Sequence, residues 1–169
     1  MTTISMHSAS APALAKMLGN MLTWLEAAKA HATAKNFSTD VYLTLRLAPD
    51  MLPFTKQIQI ASDAAKGCVA RLAGQDVPSY KDDEATLDDL AERIRKTRDF
   101  VLSVPAAAFA GSESREITIP RRVGDPLKFD GLSYLQHFAL PNFYFHATTT
   151  YALLRHAGVP LGKLDYLGG

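Results

Sequence analysis

The sequence predicts an all-α fold, a bundle of four helices with a small β-hairpin inserted before the last one. Three observations carry this reading. Apolar residues recur at three- and four-residue spacing in four separate segments, and Gly, Pro and polar residues fall between those segments. Short apolar alternation also flanks Arg121-Arg122-Val123-Gly124-Asp125-Pro126 on both sides, as in a hairpin. With 169 residues and roughly 100 to 200 residues per domain, residues 1–169 are expected to form one domain.

The first helix is expected from about Pro12 to Ala32. Pro12 suits a first turn, and Leu14, Met17, Leu18, Met21, Leu25 and Ala28 form the apolar stripe. Trp24 flanks that stripe, and Gly19 interrupts it, which points to close packing. From Asn36 to Pro49 the helical period is lost. Val41, Leu43, Leu45 and Leu47 alternate with polar or small residues like a strand, but a strand without a partner is unstable, so an ordered connection is expected. The second helix is expected from near Asp50 to a stop at Gly74, with Phe54, Ile58, Ala61, Ala65, Cys68 and Leu72 facing inward. Gln59, Asp63 and Lys66 lie away from this stripe and Gln57 near its edge.

Gln75 to Asp83 reads as a polar link. Thr86 and Asp89 then form an approximate capping box, which opens a third helix with Leu87, Leu90, Ala91, Ile94, Thr97 and Val101 buried. Its charged face reads as solvated surface. Glu116-Ile117-Thr118-Ile119 and Leu127-Lys128-Phe129 are the hairpin strands; Arg121 and Arg122 read as surface charge in the turn, though such a pair could meet a phosphate. The last helix is expected from Leu132 to Gly158, with Pro141 starting its regular part or kinking it. His156 in the last turn suits the helix end. The tail, Leu161 to Leu167, is too apolar to hang free and is expected to dock.

Composition narrows the function classes. Hydrophobic residues make up 47% of the chain and charged ones 21%, enough for a core and too little charge for disorder. The 18 Lys and Arg nearly cancel the 17 Asp and Glu, so neither nucleic acid nor an anionic membrane is an expected partner. A single cysteine, Cys68, forms no internal disulfide and no cysteine-based zinc site, which suits a reducing, cytoplasmic location. Its inward position makes it a small hydrophobe rather than a nucleophile. Met1 to Ser10 has no basic or apolar targeting pattern, and no stretch reaches the roughly 18 apolar residues of a membrane span.

The best chemical constellation lies on the last helix. Spacing of i, i+4 puts Asn142, His146 and Thr150 along one side, with Thr149 beside them. His146 could ligate a metal or move a proton, with Asn142 orienting it and Asp50 as a second ligand or base. A helical two-histidine metal site wants H-x-x-x-H, however, and Thr150 stands where the second histidine would be. A neutral His146 hydrogen-bonded inside the core is the plainer account. His137 falls on the opposite face of a continuous helix. Tyr144, Phe143, Phe145 and Tyr151 read as core or interface aromatics, and Asp50 reads equally well as an N-terminal helix acid. Gly-rich phosphate loops, G-x-S-x-G and CxxC are absent.

Two stretches carry a family resemblance: Arg46-Leu47-Ala48-Pro49-Asp50-Met51 running into Gln57-Ile58-Gln59-Ile60-Ala61, and Ala139-Leu140-Pro141-Asn142-Phe143-Tyr144-Phe145-His146 running to Leu161-Gly162-Lys163-Leu164-Asp165-Tyr166-Leu167-Gly168. Over essentially its whole length the chain resembles the bacterial domain-of-unknown-function family "nineteen ninety-three", grouped with the DinB/YfiT-like superfamily. The resemblance implies an up-and-down four-helix bundle, often dimeric, with a site between helices. Many superfamily members bind a divalent metal through one histidine on the second helix and an H-x-x-x-H pair on the fourth, and some transfer low-molecular-weight thiols. His146 matches the first histidine of that pair; Thr150 replaces the second, and the second helix has no histidine. A degenerate site of His146, Asp50 or Gln57 and a hydroxyl would hold zinc or nickel less well than three imidazoles.

The functional expectation is a DinB-like bundle protein with an interhelical small-molecule or degenerate metal site near His146, lined by Asn142, Gln57 and Thr150. The metal ligands would be His146 and Asp50, and the cofactor a divalent zinc or nickel ion. The alternative is a non-catalytic ligand-binding or dimeric structural protein with no metal. A homodimer with a small-molecule ligand is the expected assembly.

Overall fold

The computed structural model describes residues 4–121 and 123–169. Arg122 of the turn pair and the first three residues of the Met1–Ser10 segment lie outside that range.

The chain folds as four long helices closed by a short hairpin and a docked tail. Helix α1 (Ala11–Lys35) has proline in its first turn and ends at Asn36, whose φ of 57° and ψ of 50° give a left-handed cap. It runs three residues past the expected end at Ala32, because this cap, and no earlier breaker, stops it. The strand-like stretch is an ordered connection as expected and contains one helical turn, α2 (Asp40–Leu43). There Tyr42 is buried and its hydroxyl meets His31 Nδ1 at 2.7 Å.

Helix α3 (Phe54–Ala73) starts four residues later than expected, with Pro53 as its extended N-cap. Asp50 therefore lies in an exposed turn before the helix and is not its N-terminal acid. The predicted inward stripe from Phe54 to Leu72 is buried, and Gly74, at φ +69°, provides the stop. Helix α4 (Leu87–Ser103) opens on the predicted capping box: Asp89 N donates to Thr86 Oγ1 at 3.1 Å and Thr86 N to Asp89 Oδ2 at 3.0 Å. After two 3₁₀ turns, β1 (Ile117–Ile119) pairs antiparallel with β2 (Leu127–Phe129), Ile117 opposite Phe129.

The last helix is one path in three pieces. A turn of α-helix, α5 (Gly131–Tyr134), is capped by the Asp130 carboxylate, which accepts from Ser133 N at 2.8 Å. A π-helical turn (Leu135–Ala139) follows and leads into α6 (Leu140–His156). Pro141 has no N–H to donate and its ring crowds the preceding turn, and the wider π turn accommodates both. Beyond Gly158, helix α7 (Lys163–Leu167) docks the tail on α1. Tyr166 stacks on Trp24 with ring centroids 5.5 Å apart, and the Trp24 indole N–H donates to Asp165 O at 3.0 Å.

The four long helices form a ring in the order α1, α4, α3, α6. Lys29 near the end of α1 meets Asp88 at the start of α4, so these two are antiparallel. Arg71–Tyr134 and Gln57–His146 contacts make α3 and the last helix antiparallel too. The Gly74–Thr86 link, in contrast, runs back along α3, with Tyr80 over Lys66, Glu84 on Gln59 and Asp82 on Lys56. A 20-residue helix is about 30 Å long, within reach of that extended link at roughly 3.3 Å per residue. Helix α4 thus begins beside the start of α3 and runs parallel to it. The four-helix bundle and its hairpin stand as expected, with directions up, down, down, up rather than strict alternation. Among the described residues, no helix is long and apolar enough to cross a membrane.

Candidate functional site on the seam between α3 and α6

The seam between α3 and α6 holds most of the polar residues singled out in the sequence. Gln57 lies in the first turn of α3 and is 1% exposed; His146 lies midway along α6 and is 8% exposed. His146 Nδ1 and Gln57 Oε1 are 2.7 Å apart, and Gln57 Nε2 donates to Leu52 O at 2.8 Å. These two bonds fix all the roles. The Leu52 carbonyl can only accept, so the glutamine amide nitrogen faces it and the amide oxygen faces the imidazole. Nδ1 must then carry the proton, leaving the Nε2 lone pair without a partner among the described residues. Burial pulls the His146 imidazole below its ordinary range, so it is neutral at pH 7.

Thr150 is buried but its hydroxyl donates to His146 O at 2.9 Å, and Thr149 likewise donates to Phe145 O at 2.8 Å. Both hydroxyl protons serve their own helix. Asn142 makes no hydrogen bond to His146; it lines a groove one turn away along α6. Gln57 does the orienting that sequence reasoning gave to Asn142. Asp50, in its exposed turn, makes no hydrogen bond to His146 either. Phe145, 55% exposed, sets its ring edge-on to His146 with centroids 5.1 Å apart, so an exposed aromatic ring borders the imidazole.

The donor set does not fit the metal centre that the superfamily resemblance implies. Gln57, the α3 residue that meets His146, has its amide already used at both ends, and Thr150 turns its hydroxyl to the backbone. One imidazole remains, and among the described residues no group of three His, Cys, Asp or Glu side chains is placed to hold an ion. Cys68 adds nothing, since burial pushes its thiol up to about 12.

Two concavities lie elsewhere on the molecule, and neither is lined by His146 or Gln57. The larger, about 640 Å³, is bordered by Tyr80, Lys81, Glu84, Arg93 and Lys96 between the Gly74–Thr86 link and α4. The most buried cation in its wall is already paired. Arg93, with 2% of its side chain exposed, pairs with Asp63 and Glu84 at 2.8 Å and with Asp82 at 3.1 Å. That network fastens the link to both helices, and sequence reasoning, which placed Asp63 on the outer side of α3 and did not single out Arg93, missed it. The smaller concavity, about 160 Å³, runs along the α3–α6 seam and includes Asn142.

Known proteins agree with this architecture. A crystal structure of a DinB family member protein from Shewanella denitrificans is 39% identical, with a TM-score of 0.89 over 96% of this chain and 92% of that one. No curated protein matches. The family described as a domain of unknown function, DUF1993, matches residues 6–167. The chain therefore belongs to the DUF1993 family and is a DinB-like four-helix bundle protein.

Proposed function

We propose that this DinB-like protein binds a small molecule at His146 without a metal of its own. The observation that carries this is the chain from Leu52 O through Gln57 to His146, which presents a neutral imidazole with Nε2 as a fixed acceptor. Such an imidazole takes a hydrogen bond from a ligand N–H or O–H, and is placed to take the proton itself as a general base. The exposed Phe145 ring beside it favours a ligand with an apolar part, and the burial of the imidazole strengthens the polar contact.

The test is a metal titration followed by a ligand screen on wild type and His146→Gln. Chelated protein reloaded with zinc, nickel or manganese is expected to retain no stoichiometric ion. Nitrogen NMR is expected to show the Nδ1–H tautomer, with the Nε2 signal moving when a ligand binds and no binding in the variant. Near-stoichiometric metal lost in His146→Gln would overturn the metal-free reading. A dimer in sedimentation that covers Phe145 and seals His146 from every ligand would replace it with the structural one.

A further inference from the structure

We propose that the 160 Å³ groove between α3 and the last helix is a second site, one that binds a small monocarboxylate with an apolar body. The argument begins with Arg71, which has no carboxylate partner among the described residues. Its guanidinium lies across Gly67, one turn earlier on α3, where an added Cβ would collide with Nη1. Glycine at that position leaves room for the Nη1 end of the guanidinium against the helix. From there Arg71 Nη1 donates to Tyr134 Oη at 3.2 Å.

Tyr134 is 1% exposed, and its hydroxyl is used only as an acceptor. Its own hydrogen has no acceptor among the described residues, which a buried hydroxyl seldom tolerates. Burial pushes this phenol up to about 12 despite the neighbouring Arg71, so the hydrogen stays in place at physiological pH. Asn142, from α6, also lines the groove and makes no side-chain hydrogen bond among the described residues. Three side chains with N–H or O–H groups therefore border one cavity that supplies them no free anion.

The carboxylate already present is Asp63, and it is engaged: Lys66 Nζ and Arg93 Nη2 both lie 2.8 Å from its Oδ1. A ligand carboxylate complements Arg71 with paired hydrogen bonds and takes the Tyr134 hydrogen. The rest of the wall, Ile60, Ala64, Ile119 and Phe138, is apolar and asks for a hydrocarbon body. A cavity of about 150 Å³ holds a benzene-sized molecule, which limits that body to one ring or a short chain. Arg71 and Gln57 are roughly 21 Å apart along α3 at 1.5 Å per residue, so the carboxylate end of this groove lies away from His146, while Asn142 at its other end is one turn of α6 from that imidazole.

Calorimetric or NMR titration of the full chain with butyrate, pentanoate and benzoate, beside the matching neutral amides, tests the proposal. Carboxylates are expected to bind saturably and the amides about tenfold or more weaker, since the charge is what Arg71 reads. Arg71→Gln should lose at least about tenfold in affinity, Arg71→Lys should recover only part, and Tyr134→Phe should lose several-fold. Each variant's circular dichroism and melting curve establishes that it is folded. His146→Gln should bind carboxylates like wild type, which separates this site from the other. Equal binding of acids and amides, unchanged affinity in folded Arg71→Gln, or the absence of any carboxylate binding would each overturn the assignment.

Discussion

Gln57 on α3 and His146 on α6, 89 positions apart in sequence, share a 2.7 Å hydrogen bond that determines which imidazole nitrogen is protonated. The glutamine is itself held by Leu52 O at 2.8 Å, so the tautomer is set by the chain entering α3.

Gln57→Leu removes both bonds while keeping much of the volume. It leaves a buried Nδ1–H and the Leu52 carbonyl without their partner, and stability is expected to fall by about 1 to 3 kcal/mol. Denaturant unfolding measures the loss, and nitrogen NMR should show the histidine tautomers becoming mixed. An unchanged unfolding midpoint together with an unchanged Nδ1–H tautomer would remove Gln57 from its orienting role.

Protonation of His146 must oppose folding. Burial lowers its pKa in the folded chain below the ordinary value of 6.5. Between the lowered value and 6.5 the unfolded chain binds more protons, so stability rises with pH through that window. The contribution is fully present above about pH 6.5 and declines as the pH falls from there toward the folded value. His146→Gln should flatten this part of the profile in urea midpoints measured from pH 7.5 to 5. A variant as pH-sensitive as wild type there would assign the acid limb to other groups.

Arg93 is the hub of the network holding the Gly74–Thr86 link, through Asp63, Asp82 and Glu84. Arg93→Ala leaves a nearly buried Glu84 without its cation and should cost about 3 to 5 kcal/mol. Arg93→Lys should rescue little, because an ammonium does not reproduce the forked geometry that reaches several carboxylates at once. Thermal unfolding of the two variants beside wild type checks the order.

Gly131 opens the last helix where the chain leaves β2, and an added Cβ there would collide with Ser112 O. The obstacle is backbone, which yields less readily than a side-chain tip. Gly131→Ala is therefore expected to be clearly destabilising, by about 2 kcal/mol or more, despite alanine's better helix propensity. A melting temperature at or above that of wild type would show that the turn at Ser112 gives way freely.

The bundle was legible in the sequence because local physics writes it there. Apolar spacing marked four helices, Thr86 and Asp89 the capping box, Gly74 the stop of α3, and alternation the hairpin. The boundaries that shifted did so for backbone reasons: Pro53, as N-cap, delays α3 and leaves Asp50 in a turn, and Asn36 in a left-handed conformation extends α1. The candidate site was half legible. His146 stood out by residue type and Gln57 by its place near the apolar stripe, while Asn142 was assigned a role that belongs to Gln57.

By itself, the sequence determined the four helices, the Thr86–Asp89 capping box and the Gly74 stop, the hairpin, the inward cysteine and the lack of the superfamily's histidines at two positions. The tertiary structure alone decided that α3 and α4 run parallel, that Gln57 orients His146, that Arg93 gathers three carboxylates, and that Arg71, Tyr134 and Asn142 border one groove. The physical reason is range. Helix propensity, capping and periodicity act within a few residues, whereas a hydrogen bond across a seam depends on how far each helix is slid and turned against its neighbour. Those two quantities are settled by the packing of the whole core and are written in no local stretch of sequence.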